Sequence, residues 1–273
     1  MSSQASSRSL FPVRDGTQIS YAIANRDSDR KVALIHSLAM DGEFWRPVVA
    51  ELSPRTSVLT IDCRGHGSSG KPSGPYTVEQ FADDLSDVMD EIGWPSAVVA
   101  GASMGGSVAL AFALRHASRT SGLGLFDTTP WYGPQAPRQW EERAQRALSE
   151  GLASLVEFQK TRWFGESFRS QHPKTVDLAV ETFLRTDPKA YAATCRMLGS
   201  FDLRGGLQSL EIPVRIVVGE EDYATPVEMA KVLNEGIPRS KLRVLSGRRH
   251  LTPLEDPKAI AAEIELLLDG VAA

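Results

Sequence analysis

Ser103 has the flanking sequence of an activated serine nucleophile. It lies in the G-x-S-x-G sequence of residues 101–105, after the apolar run 96–100 and before the alanine-rich run 107–114. A strand, a tight turn and a helix in this order hold a serine hydroxyl above a sheet, with helix N-terminal amides beside it. The sequence therefore predicts a nucleophile elbow with Ser103 at its apex.

A serine hydroxyl needs a histidine as its base and a carboxylate that orients the histidine. Asp222 follows the apolar run 214–219, and His250 follows the last strand-like run, 242–245. The chain order serine, aspartate, histidine matches this architecture, so we expect Ser103, Asp222 and His250 to form a catalytic triad. Asp127, at the end of the run 123–126, is the alternative acid. Four further histidines fit the role of base less well: His36, His66, His116 and His172.

The negative charge that develops on an attacked carbonyl oxygen needs N–H donors already aimed at it. Met104, the residue after the nucleophile, is expected to provide one backbone N–H. Leu38, in the loop after the strand-like run 31–36, is expected to provide the second, and Ser37 is the next candidate.

A parallel sheet would bring these distant residues together. Residues 10–14 and 18–24 predict a hairpin that turns at Asp15 and Gly16. From residue 31 onwards, apolar strands alternate with helices, which predicts an α/β fold with a mostly parallel central sheet and helices on both faces. Functional residues collect past the C-terminal ends of the strands in such a sheet.

The alternation stops over residues 129–210, which we call the inserted segment. Its sequence is helical by pattern and contains no strand-like run. We expect it to form a helical cap on a core of residues 10–128 and 211–273, with residues 1–9 as a flexible tail. Four aromatic residues could line a substrate pocket or simply pack inside the cap: Trp131, Tyr132, Trp163 and Phe164.

Composition excludes several classes of function. The 273 residues are 42% hydrophobic and carry a net charge of -4, which gives no reason to expect nucleic acid or an anionic membrane as a partner. Cys63 and Cys195 lack metal-ligand spacing, and no G-x-G-x-x-G follows the first parallel strand, so we expect no metal and no cofactor. Without a signal sequence or a membrane-length apolar run, the sequence predicts a soluble cytoplasmic protein, monomeric or homo-oligomeric.

The chain resembles the 3-oxoadipate enol-lactonase group of the α/β-hydrolase superfamily along almost its whole length. The matching stretches are Ser37-Leu38, Asp41, Phe44-Trp45, residues 62–67, 74–76, 103–106, 162–164, 187–188, 191–204 and 250–257. The resemblance implies that Ser103 opens a small lactone and that water hydrolyses the acyl-enzyme, in the breakdown of aromatic compounds. It also implies a substrate carboxylate, for which Arg162 and Arg196 are candidate partners.

His36 and Ala39 depart from that group, which usually has Asn and Gly at these positions, and His36 resembles a wider esterase pattern. Several alternatives therefore stay open. The protein could be a general carboxylesterase, a C–C bond hydrolase or a perhydrolase on the same scaffold. It could also be a binding or receptor module with very slow turnover.

Overall fold

An eight-stranded sheet lies at the centre of the computed structural model, which describes residues 8–26 and 28–271. Its strands are β1 (Ser9–Pro12), β2 (Gln18–Ala24), β3 (Arg30–Ile35), β4 (Thr56–Asp62), β5 (Ala97–Ala102), β6 (Thr120–Phe126), β7 (Val214–Gly219) and β8 (Ser240–Leu245). Their spatial order is β1-β2-β4-β3-β5-β6-β7-β8. Strand β2 is antiparallel to both of its neighbours, and every other pair is parallel.

Helices cover both faces of this sheet, which confirms the predicted fold class. In chain order they are α1 (Arg46–Glu51), α2 (Val78–Glu91), α3 (Met104–Arg115), α4 (Ala136–Glu150), α5 (Val156–Trp163), α6 (Glu166–Gln171), α7 (Pro173–Leu184), α8 (Pro188–Ser200), α9 (Val227–Gly236), α10 (Thr252–Glu255) and α11 (Pro257–Val271). Helix α3 packs against α2 and against β3, β5 and β6, whereas α11 packs against α1 and against β6 and β7. Every residue of β5 is buried, as expected for a strand covered on both sides.

Local sequence accounts for where several helices begin. The Thr77 hydroxyl accepts from the Gln80 N–H while the Gln80 side chain accepts from the Thr77 N–H, so a capping box starts α2. A 3-10 turn, Gly42–Trp45, leads directly into α1. Asp41 caps the turn, and Pro47 lies in the first turn of α1, where its missing N–H costs no hydrogen bond.

The prediction of a flexible tail over residues 1–9 is wrong for Arg8 and Ser9. Ser9 begins β1 and pairs with Tyr21, and the Arg8 guanidinium lies 2.6 Å from an Asp62 carboxylate oxygen. The sheet edge and a nearly buried carboxylate therefore hold these two residues. Residues 1–7 lie outside the described part of the chain.

The inserted segment contains helices α4 to α8 and two 3-10 turns, and no strand lies in residues 129–210, all of which are described. Helices α4 and α8 pack along each other over most of their length. The segment leaves the sheet after β6 and returns to it at β7. Within residues 8–26 and 28–271, no helix is long and apolar enough to cross a membrane.

Candidate active site

The turn between β5 and α3 is so tight that two glycines are required there. A β-carbon on Gly101 would collide with the backbone carbonyl of Gly105, and one on Gly105 would collide with the carbonyl of Ile35 at the end of β3. Ser103, between them, has a φ of 54°, a left-handed conformation that is strained for a residue with a side chain. The turn thus presents the Ser103 hydroxyl at the C-terminal edge of the sheet.

Ser103, His250 and Asp222 form a hydrogen-bonded chain, although Ser103 lies 147 residues and Asp222 lies 28 residues from His250 in sequence. The Ser103 Oγ lies 2.9 Å from His250 Nε2, and His250 Nδ1 lies 2.8 Å from Asp222 Oδ2. All three residues are buried. This arrangement can remove the serine proton through the imidazole while the carboxylate holds the imidazole in the required tautomer.

Asp222 is held as an acceptor by its own loop. Its Oδ1 accepts from the backbone N–H groups of Ala224 and Thr225, and its Oδ2 accepts from the Thr225 hydroxyl as well as from His250. Burial alone would raise the pKa of Asp222, but the interaction with His250 and the hydrogen bonds outweigh burial and hold this pKa below its usual value. The carboxylate is therefore ionised at neutral pH.

Asp127, the alternative acid, does not contact His250. Its Oδ2 accepts from the N–H and the hydroxyl of Thr252, at 2.9 and 2.7 Å, and its Oδ1 accepts from the Gly219 N–H at 3.3 Å. Burial and the nearby charge of Asp222 raise the pKa of Asp127 well above its usual value. Asp127 thus joins the end of β7 to the start of α10.

The inserted segment holds the loop that carries His250. The Trp163 carbonyl, at the end of α5, accepts from the backbone N–H groups of His250 and Leu251. The Glu255 carboxylate accepts from the Gly165 N–H at 3.0 Å and from the Arg249 N–H at 2.5 Å. These bonds fix the imidazole relative to α5, so the position of the base depends on the docking of the inserted segment.

The two predicted oxyanion donors lie beside the serine. Met104 is the first residue of α3, where a helix N–H has no partner within the helix. Leu38 lines the cavity above Ser103, and its N–H donates to no acceptor among the described residues. The contact of Gly105 with the end of β3 brings this loop against the elbow. That these two N–H groups form an oxyanion hole stays a prediction.

A small inner cavity, about 10 Å³ in volume, lies beside Ser103. It is lined by Ser37, Leu38, Ser103, Tyr132, Trp140, Arg143, Gln159, Arg162, Trp163 and His250. Burial raises the pKa of Tyr132 to about 12, so its phenol is neutral and can donate a hydrogen bond near Ser103. An outer cavity of about 560 Å³ shares Tyr132, Trp140, Arg143 and Arg162 with the inner one.

Two guanidinium groups lie between these cavities without a carboxylate partner among the described residues. The Arg143 Nε donates to the Tyr191 hydroxyl at 2.6 Å, and the Arg162 guanidinium lies 5.6 Å from the ring centre of Phe158. Burial and the charge of Arg143 lower the pKa of Arg162 to about 10, which leaves it charged at neutral pH. The cavity wall therefore has a positive charge that the protein does not neutralise.

Sequence reasoning missed Arg143 and Gln159. Both share helical spacing with cavity residues: Arg143 follows Trp140 by three positions on α4, and Gln159 precedes Arg162 by three on α5. That spacing could have grouped them once one cavity residue on each helix was known.

The predicted pocket residues divide into two groups. Tyr132, Trp163 and Arg162 line the inner cavity. Trp131 and Phe164 fit the packing alternative instead. The Trp131 ring stacks on the Arg204 guanidinium at 3.6 Å, and Phe164 is fully buried and stacks on Phe168. Neither lines a cavity around Ser103.

Arg196, the other candidate partner for a substrate carboxylate, lines neither cavity. Arg196 is exposed and bonded to Glu141 at 2.7 Å, away from the cavity. In the part of the chain that the structure describes, no group of three or more His, Cys, Asp or Glu side chains could hold a metal ion.

Known proteins share this fold and this arrangement of elements. A model of the alpha/beta hydrolase family matches residues 32–263. The chain belongs to this family. The alpha/beta hydrolase described here is therefore a hydrolytic enzyme, and the elbow lies inside the matched region.

Individual relatives confirm the predicted resemblance. The 3-oxoadipate enol-lactonase 2 of Acinetobacter baylyi is 28% identical over 250 residues, which is 92% of each chain. The crystal structure of the enol-lactonase from Burkholderia xenovorans LB400 matches with a TM-score of 0.89 and 30% identity, over 96% of this chain and 100% of that one. A thermophilic esterase from Thermogutta terrifontis, solved with malate bound, matches with a TM-score of 0.91 and 28% identity, over 98% and 100%.

Proposed function

We propose that this hydrolase cleaves small carboxylic esters or lactones that carry a free carboxylate, with 3-oxoadipate enol-lactone as the leading candidate. The observation that carries the proposal is the hydrogen-bonded chain from Ser103 through His250 to Asp222. The similarity to proteins named enol-lactonase and esterase supports the choice of bond.

In the proposed mechanism, Ser103 Oγ attacks the substrate carbonyl as its proton moves to His250 Nε2. The N–H groups of Leu38 and Met104 stabilise the oxyanion that forms. His250 then donates the proton to the leaving oxygen, which leaves an acyl-enzyme. A water molecule, deprotonated by His250, attacks the acyl carbon, and the collapse of the second oxyanion returns the proton to Ser103.

The inserted segment acts as a cap in this proposal. Its α4 and α5 supply half of the residues that line the inner cavity, and the unneutralised charges of Arg143 and Arg162 face the space where the acyl group would bind. A carboxylate there would accept charge-assisted hydrogen bonds, which are stronger than neutral ones. The same charges would disfavour substrates with a cationic acyl chain.

Replacing the serine tests the reaction class. We expect Ser103→Ala to abolish turnover of the enol-lactone and of simple esters, and a fluorophosphonate to label only the protein that retains Ser103. Full activity of the alanine variant would disprove the triad. Labelling without multiple turnover would favour the binding module. Cleavage of a C–C bond in a dienoate, without ester hydrolysis, would favour a C–C bond hydrolase. Turnover of peroxide with acetate, without ester hydrolysis, would favour a perhydrolase.

A pair of esters that differ by one charge tests whether the enzyme recognises a free carboxylate on its substrate. Monomethyl succinate carries an anion that dimethyl succinate lacks. We expect Arg162→Met to raise KM for the monoester roughly 10- to 100-fold, because hydrogen bonds to a charged group are lost, and to change KM for the diester little. Arg196→Met is the matched control, since that arginine is exposed and bonded to Glu141. A wild-type preference for the diester would instead favour a general carboxylesterase.

A further inference from the structure

Gln159 has a buried polar atom that the protein leaves unpaired. Its side chain is 1% exposed, and its Oε1 has no hydrogen-bond partner among the described residues. The residue lines the inner cavity together with Ser103 and His250. Buried polar atoms in native proteins nearly always have a partner, and one without a partner destabilises the fold.

Gln159 lies on the side of α5 that lines the inner cavity. Gln159, Arg162 and Trp163 follow each other at helical spacing on α5 and share the wall of the cavity. The rest of that wall includes the apolar or aromatic side chains of Leu38, Tyr132 and Trp140. An apolar side chain of similar size would pack there without the cost of an unpaired acceptor.

The chemistry of the neighbours narrows what could pair with Oε1. Arg143 and Arg162 are donors in the same cavity, yet neither donates to Oε1. A substrate carboxylate could accept from the amide N–H₂ of Gln159 but cannot pair with Oε1, because both groups are acceptors. The missing partner must therefore donate a hydrogen bond. A hydroxyl also accepts, so it can pair with either end of the Gln159 amide.

We propose that Gln159 is a specificity-determining residue that binds a hydroxyl or amide N–H on the substrate, close to the carbonyl that Ser103 attacks. This inference rests on the proposed ester or lactone hydrolysis. Within that class it favours hydroxylated or N-acylated esters and lactones over 3-oxoadipate enol-lactone, which carries no hydrogen-bond donor at neutral pH. The acyl-enzyme chemistry is unchanged, and only the group beside the carbonyl is selected.

Matched lactones test the proposal. α-Hydroxy-γ-butyrolactone and N-acetyl-homoserine lactone each carry a donor that γ-butyrolactone lacks. We expect wild-type kcat/KM to favour the two donor-bearing lactones by roughly 5- to 150-fold, the range for leaving a buried polar group unpaired. Gln159→Met should reduce this preference to about 2-fold or less. Gln145→Met, at an exposed glutamine on α4, should keep it.

A stability measurement separates a folding defect from lost recognition. Because Oε1 has no partner in the protein, Gln159→Met should unfold at the same temperature as wild type or higher. A lower unfolding temperature would mean that Gln159 has a structural role and would overturn the inference. So would a wild-type preference for γ-butyrolactone, or an unchanged preference in Gln159→Met.

The outcomes also separate this inference from the proposed function. If all three lactones and simple esters are turned over without a preference that depends on Gln159, only the inference fails. If no ester or lactone is turned over by wild type, the proposed function fails as well.

Discussion

Replacing Asp222 by asparagine tests the core of the proposed mechanism. The asparagine oxygen can keep the two bonds from the N–H groups of Ala224 and Thr225, since these converge on Oδ1. The amide nitrogen then takes the place of Oδ2, 2.8 Å from His250 Nδ1. An amide nitrogen can only donate, so His250 must accept at Nδ1 and hold its proton at Nε2, facing Ser103.

An imidazole in that tautomer cannot take the proton of Ser103. The expected loss in kcat is therefore roughly 10³- to 10⁴-fold, or about 4 to 5.5 kcal/mol in transition-state free energy, with KM within a few-fold of wild type. The assay is steady-state hydrolysis of a chromogenic ester, with circular dichroism to show that the fold is kept. A loss below about 10-fold in a folded protein would refute the assignment of Asp222.

Asp127→Asn provides the matched control for this substitution. It makes the same change in a second buried acid at the end of a neighbouring strand, one that bonds Thr252 and Gly219 rather than His250. Because burial and the charge of Asp222 raise the pKa of Asp127 and so favour its neutral form, an uncharged amide is a close replacement. We expect kcat to stay within about 10-fold of wild type. A larger loss in Asp127→Asn than in Asp222→Asn would make Asp127 the catalytic acid.

Three further predictions concern the elbow and the buried acids. Gly101→Ala should lower the free energy of unfolding by about 3 kcal/mol or more in chemical unfolding, because its β-carbon would collide with backbone. The control is Gly205→Ala, where a β-carbon meets open space, and it should change the free energy of unfolding by less than about 1 kcal/mol. Thr225→Val should lower kcat about 10-fold, because Asp222 loses a hydroxyl donor at 2.8 Å; unchanged kcat would contradict this. Finally, the folded state keeps Asp127 protonated at pH values where the unfolded state has released that proton. The free energy of unfolding of Asp127→Asn relative to wild type should therefore rise as pH increases above about 4, and urea titrations at pH 4 to 8 that show no rise would refute the raised pKa.

Much of the fold could be predicted because its signals are local. Residues 97–102 are apolar throughout and lie between helices, as a strand covered on both sides must be. Boundaries were less predictable: Ser9 joins β1 through its pairing with Tyr21, a contact made across the sheet rather than along the chain.

The candidate site separates into what the sequence determined and what only the tertiary structure decided. The sequence determined the elbow, because glycine is required at 101 and 105 by close contacts within a few residues and with a neighbouring strand. The sequence also placed Asp222 and His250 after the ends of strands. Only packing decided that His250 bonds Asp222 and not Asp127, since both acids end neighbouring strands.

The inserted segment depended most on tertiary structure. Helical periodicity shows which residues share a face but not which face a helix turns toward Ser103. The structure turns Arg143 of α4 and Gln159 of α5 into the cavity and leaves Trp131 on Arg204 outside it. The residues that line the cavity are therefore determined by how five helices dock on the sheet, whereas the identity of the nucleophile is determined by a local turn.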